Sequence, residues 1–292
     1  GYALHKLLKI PYAVEINAIV EDERVLLTGE GDNTSFKGFR KNMRTRFFHE
    51  AALVIAVTPG IKEHLQTLYN IPKERIAVVP NGANTELFKP MERAECIKEL
   101  ELNPDKRYIC FTGNLAPWQG LISMIEAMPI ILEEERNAVF LVVGGGKEKE
   151  TLEKRTGELK LGNNILFAGW VDYEKVPEYI SACDICVAPL AEGREKSGSS
   201  AIKIYEYLAC GKPVVASDVP FLDFLEKENC GLLVPKRDKK ALAEAVLSLL
   251  GNAEQVQNMG TAGRSYVVEK GSWAGTAKRI HELLEDMTGN HR

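Results

Sequence analysis

Between residues 107 and 234 the chain repeats one pattern: a short, almost wholly apolar run, a turn, then a stretch with helical periodicity. The apolar runs are 107–112, 139–143, 165–168, 184–188, 213–217 and 231–234. Strands without polar alternation are buried on both faces, as in a parallel sheet covered by helices. Helical patterns at 121–135, 147–161, 173–182, 200–210 and 219–227 supply the covering layers. This part is expected to be a complete doubly wound α/β domain, closed by helices at 239–250, 254–269 and 273–287.

A shorter alternation precedes it. A strand is expected at 11–16, a polar, turn-rich loop at 21–36, and a basic helix at 39–52 carrying Arg40, Lys41, Arg44 and Arg46. Strand 53–57, helix 59–69, strand 75–79 and a turn at 80–83 follow. These are too few strands for an independent Rossmann sheet, so the first domain reads as partial. Gly1 to Lys6 carries no initiator Met and no signal-peptide layout, and the start reads as a cut within a longer protein.

At 292 residues the chain has room for two domains, and 45% hydrophobic with 27% charged residues is a soluble globular composition. A net charge of −4 argues against nucleic acid as a partner, because no basic excess exists to neutralise phosphates. No run approaches the roughly 20 apolar residues of a membrane span. The basic helix at 39–52 could still touch anionic lipid; its rival is an ordinary solvated helix face. Cys183 and Cys186 have zinc-ligand spacing, but residues three apart on a strand point to opposite faces and no second pair accompanies them. The six cysteines are read as free thiols in a reducing cytosol, which places the chain in the cytoplasm.

Ligands of doubly wound sheets lie beyond the carboxyl ends of the strands, where the glycine loops of this chain fall. Small residues at Ser197-Gly198-Ser199-Ser200 can bring bare amides to an anion at a helix start. Lys203 and Glu206 follow on one face of that helix, placing a cation and a carboxylate in one cleft. The set suits a sugar nucleotide, with an ordinary solvated αβ unit as the alternative. Gly113, Asn114 and Gln119 form a second candidate loop, with Asn114 and Gln119 as hydrogen-bond donors. Gly144, Gly145 and Gly146 could admit a ligand to the backbone. Trp170 and Val171 could form a base slot, core packing of Trp170 being the equal rival. Arg194 and Lys196 flank Glu195 as candidate charge partners of a diphosphate, or as a solvated loop. His49, His64 and His281 have no spacing partner for a triad or a metal.

In order along the chain stand Ala56-Val57-Thr58-Pro59, Val79-Pro80-Asn81-Gly82-Ala83, Phe111-Thr112-Gly113-Asn114-Leu115, Leu141 to Gly146, Phe167 to Val171, Ala182-Cys183-Asp184 and Lys203 to Val215. This ordered set resembles the retaining sugar-nucleotide glycosyltransferases of family 4, along essentially the whole chain. The resemblance implies the GT-B fold, two Rossmann-like domains facing a cleft. Residues 1–90 would be the acceptor-side domain, 106–270 the nucleotide-sugar domain and 271–292 a helix crossing back. The family's first domain is longer, which implies that its opening part is absent here.

The resemblance also implies roles. Glu206 would bind ribose, Ser199, Ser200 and Lys203 phosphate, and Glu195 and Gly198 would sit near the sugar. Two departures stand out. The family often carries two glutamates at the positions of Gly198 and Glu206, and its phosphate-binding Arg and Lys align with Asn114 and Gln119. Lys203, helped by Arg194 or Lys196, is expected to replace those cations, as in a similar subgroup of bacterial polysaccharide transferases. The implied enzyme is retaining and metal-independent, with no cofactor: a nucleoside-diphosphate sugar, UDP-linked, is the donor, and a glycan or lipid-linked hydroxyl the acceptor. The alternatives are a sugar-nucleotide epimerase or hydrolase on the same fold, and an inactive nucleotide-binding module.

Overall fold

The computed structural model describes residues 2–18, 37–191 and 202–289. The described residues of Gly1–Gly82 and Trp273–Arg292 gather into one compact unit, and those of Ala83–Glu192 and Ala201–Ser272 into another.

In the first unit, strands β1 (Ala13–Ile16), β2 (Leu53–Ala56) and β3 (Ile76–Val78) form a parallel sheet in that order. Helices α1 (Tyr2–Leu8), α2 (Lys37–Glu50) and α3 (Pro59–Tyr69) belong to the same unit. Thr58 caps α3, its hydroxyl accepting from Ile61 N at 3.1 Å, and Pro59 starts the helix with a preset φ. Ile61, Leu65 and Tyr69 repeat on one face of α3 and are buried with Val54, Ala56 and Ile76. Helix α1 has no strong periodic signal and was not expected from the sequence. Its Lys6 meets Glu50 at 2.6 Å, and with Arg46 at 2.7 Å it holds that carboxyl down to about 2. Part of the charge of the basic helix is therefore answered within the unit.

The second unit holds β4 (Arg107–Thr112), β5 (Ala138–Val143), β6 (Ile165–Gly169), β7 (Ile185–Ala188), β8 (Val214–Ser217) and β9 (Gly231–Val234). They form one parallel sheet in the order β6-β5-β4-β7-β8-β9. The chain winds outward from β4 through β5 to β6, then returns to the other side at β7, so the sheet reverses between β4 and β7.

Helices α4 (Arg93–Glu99), α5 (Leu121–Glu134), α6 (Lys149–Glu158), α7 (Val176–Ala182), α8 (Ile202–Ala209), α9 (Phe224–Lys227), α10 (Lys239–Leu250) and α11 (Ala253–Lys270) cover it. Alternate strand residues feed two cores. Ile109, Phe111, Phe140, Val142 and Val187 meet Met124, Met128 and Val246 on one face. Cys110, Leu141, Cys186 and Ala216 meet Ile180, Tyr207 and Leu208 on the other. Fully burying each large side chain stabilises by about 1.5–3 kcal/mol.

Helix α4 was not expected. The expected helices at 173–182 and 219–227 each open as a 3₁₀ turn, Tyr173–Lys175 and Pro220–Leu222, before the α-helical turns. The last helix, α12 (Trp273–Gly289), lies in the first unit, where Thr276 Oγ1 donates to Pro80 O at 2.9 Å.

The strand argument for Cys183 and Cys186 needs correction. Cys183 precedes β7, as the C-cap residue of α7, so the two side chains are not bound to opposite faces; both reach the thiol of Cys110. All six cysteines are free and buried, and burial pushes their thiols up, to about 12 for Cys210 and Cys230. Such thiols are unreactive. No helix among the described residues is long and apolar enough to cross a membrane.

Candidate functional site

The carboxyl ends of β4, β5 and β6 open into a cavity of about 290 Å³ lined by Thr112, Gly113, Val143, Gly144, Trp170, Val171, Tyr173, Val176 and Glu206. Five residues singled out in the sequence thus share one wall: Gly113, Gly144, Trp170, Val171 and Glu206.

Helix α8 presents its polar side chains here because its other face is sealed. Tyr207 is fully buried, and its phenol oxygen accepts from Thr112 N at 2.7 Å, tying the helix to the end of β4. Tyr207→Phe orphans that buried amide and should cost about 1–3 kcal/mol, read by urea unfolding.

Glu206 stands one residue earlier and is 7% exposed. Burial raises the pKa of its carboxyl, and this is opposed by the Tyr173 hydroxyl, which donates to Oε1 at 2.9 Å, and by the charge of Lys203. The Tyr173 ring leans on Phe88, with centroids 5.2 Å apart. Tyr173 was not anticipated. Its only sequence signal is its place just past a strand end on the ligand side.

Lys203 extends over the ring of Phe111, Nζ lying 4.0 Å from the centroid, and donates to Gln119 Oε1 at 2.8 Å. A side chain on Gly113 would place its Cβ 3.0 Å from that ammonium. The ammonium therefore sits beside the Gly113 backbone at the cavity. Gln119 accepts from it and holds it there.

The triple glycine serves loop-to-loop contact. A Cβ on Gly144 would fall 2.0 Å from Gly113 O, and one on Gly145 2.3 Å from the Trp170 indole nitrogen. Gly144 N is already committed to Gly169 O at 2.7 Å, and Gly145 O to Leu115 N at 2.9 Å. Asn114 faces Gly146, where a Cβ would meet its Oδ1 at 2.4 Å. The core-packing alternative for Trp170 fails: the residue is 77% exposed and lies across Gly145 at the cavity rim. Glu195, Gly198, Ser199 and Ser200, with Arg194 and Lys196, lie outside the described residues. Among the described residues no cluster of three or more His, Cys, Asp or Glu side chains is arranged to hold a metal ion.

The family model described as glycosyl transferases group 1 matches residues 92–266. The chain belongs to this family. A second model, glycosyltransferase family 4, matches residues 3–87. An uncharacterised glycosyltransferase of Methanocaldococcus jannaschii is 28% identical over 252 residues, 82% of this chain and 62% of the relative. A GDP-mannose-dependent alpha-(1-6)-phosphatidylinositol monomannoside mannosyltransferase of Mycobacterium tuberculosis is 28% identical over 221 residues, 73% of this chain and 56% of the relative.

Among solved structures, sucrose-phosphate synthase from Thermosynechococcus elongatus matches with a TM-score of 0.81 and 24% identity, over 99% of this chain and 71% of that one. Anabaena HepE, solved in complex with UDP and glucose, matches at 0.74 with 18% identity, over 96% and 73%. These likenesses establish the fold as the α/β GT-B type built on parallel sheets. The chain spans between 56% and 65% of the length of the first three curated relatives it matches.

Proposed function

We propose that this group 1 glycosyl transferase moves a sugar, with retention of configuration and without a metal, from a nucleoside-diphosphate sugar to a hydroxyl of a glycan or lipid-linked acceptor. The carrying observation is the convergence of a buried carboxylate, an oriented ammonium and glycine-lined backbone at the carboxyl ends of β4 and β5. Glu206 takes the two ribose hydroxyls, Trp170 and Val171 border the base, and Lys203 meets the diphosphate. In a front-face displacement the acceptor attacks on the side from which the diphosphate departs, and the leaving phosphate accepts its proton. The protein then has mainly to orient the reactants and to stabilise charge on the leaving group.

Gln119 supports this assignment. A neutral side chain stands where the family's cation is expected, yet it holds Lys203, so positive charge still reaches the loop. Lys203→Ala is expected to weaken nucleoside-diphosphate binding about tenfold, the loss of one charge-assisted hydrogen bond. Unchanged affinity and turnover would remove Lys203 from the mechanism. UDP is the proposed carrier, in line with HepE, solved with UDP; the mannosyltransferase relatives are named for GDP-mannose.

The proposal has a pH signature. Ribose hydroxyls donate to the ionised form of Glu206, whose pKa burial raises. Nucleotide affinity should therefore fall on acidification before the ordinary carboxylate range is reached. The stability linkage has the opposite sense. The folded state holds this proton more tightly than the unfolded chain, so the contribution of Glu206 to stability falls as pH rises through its folded pKa. Titrations at several pH values, with unfolding curves at the same values, check both signs.

A further inference from the structure

At the opposite end of the same sheet, where β7 and β8 begin, lies a second cavity of about 530 Å³. Arg93, Asp184, Lys212 and Arg264 contribute its charged lining, with Thr261 and Ser265 of α11 at its edge. Three cations thus face one carboxylate, and that carboxylate is already answered. Asp184 lies 3.5 Å from Arg93 Nη2 and 3.0 Å from Arg107 Nε, and accepts from Tyr108 N at 2.8 Å.

Among the described residues, Lys212 and Arg264 form no ion pair. Arg264 donates to the carbonyl oxygens of Thr85, Phe88 and Ala209, neutral acceptors that hold the guanidinium without cancelling its charge. Lys212 lines the cavity beside Cys183 and Cys210. Arg93 Nε is buried with no hydrogen-bond acceptor. A buried donor left in this state is destabilising unless a partner supplies the acceptor. The backbones of Gly211 and Gly260 fix the cavity wall: a Cβ on Gly260 would lie 2.1 Å from Gly211 O.

We propose that this cavity is an anion site for a phosphomonoester, a sugar phosphate. The cations meet the phosphate, the volume admits a hexose, and Ser265 and the Gln257 amide line the wall to meet sugar hydroxyls, as does Thr261, whose hydroxyl donates to Gln257 O at 2.9 Å and is left to accept. The site shares no lining residue with the Glu206 cavity, so it stands or falls apart from the donor assignment.

The probe is glucose 6-phosphate, titrated calorimetrically into the full chain, with glucose as control. One equivalent of glucose 6-phosphate should bind wild type and Glu206→Ala alike, and glucose should not bind. Lys212→Gln should weaken binding at least tenfold. So should Ser265→Glu, which adds a carboxylate at an exposed position and leaves the interior unchanged. The proposal is overturned if folded wild type does not bind, if glucose binds as well, or if Glu206→Ala abolishes binding. Undiminished affinity in both cavity variants would also overturn it.

Discussion

Glu206→Ala is expected to lower nucleoside-diphosphate affinity by more than about a hundredfold while leaving the fold within about 1 kcal/mol of wild type. The first effect follows from two ribose hydroxyls donating to one carboxylate, at about 1.5–3 kcal/mol for a hydrogen bond to a charged group. The second follows from opposing terms. Alanine removes a charge that burial disfavours, and it orphans the Tyr173 hydroxyl, whose residue is 47% exposed and open to water. Glu206→Gln keeps the shape and one acceptor, and should fall between. Calorimetric titration beside urea unfolding separates the two quantities. A stable Glu206→Ala protein with wild-type affinity would mean that the carboxylate does not touch the ligand.

Gly144→Ala should be the most damaging small substitution at the site, costing about 3–4 kcal/mol. Gly144 has φ +129°, where a side chain is strained, and the new Cβ would stand 2.0 Å from Gly113 O. Neither loop can retreat without breaking its ladder, since Gly113 N donates to Val143 O at 2.9 Å and Gly144 N to Gly169 O at 2.7 Å. Gly157→Ala supplies the control. Gly157 lies in α6 with nothing within 4 Å of the added Cβ, and alanine there should stabilise by about 0.5–1 kcal/mol. Equal effects at the two positions would show that the loops yield more readily than this geometry implies.

The sheet was legible in the sequence because each strand of the second unit is a continuous apolar run. The limits of β4 and β9 were read to the residue, and the other four strands to within one. The layered helices were legible from a different signal, the helical periodicity of the stretches between those runs. Helix α4, reading Arg-Ala-Glu-Cys-Ile-Lys-Glu, was not: only Cys96 and Ile97 are buried, too little for a periodic signal.

At the site, local pattern led to Gly113, Gly144, Trp170, Val171, Lys203 and Glu206, and the fold places them around one end of one sheet. Sequence pattern could not pair Lys203 with Gln119 or Glu206 with Tyr173. Those contacts join residues 84 and 33 positions apart, and distance along a chain carries no signal of contact. The triple glycine serves two ends: Gly144 lines the cavity, while its amide and the space beside Gly145 are taken by the neighbouring loops, a loop-to-loop contact that sequence pattern could not show. The strand rule does not reach Cys183, because the expected strand begins after it and the residue is the C-cap of α7.

The central claim is that the Glu206 cavity receives a nucleoside diphosphate. Calorimetric titration of the chain with UDP, GDP and ADP tests it most directly. Selective one-to-one binding of a single nucleotide, UDP by this account, is the predicted result. A folded chain that binds none of the three would contradict it.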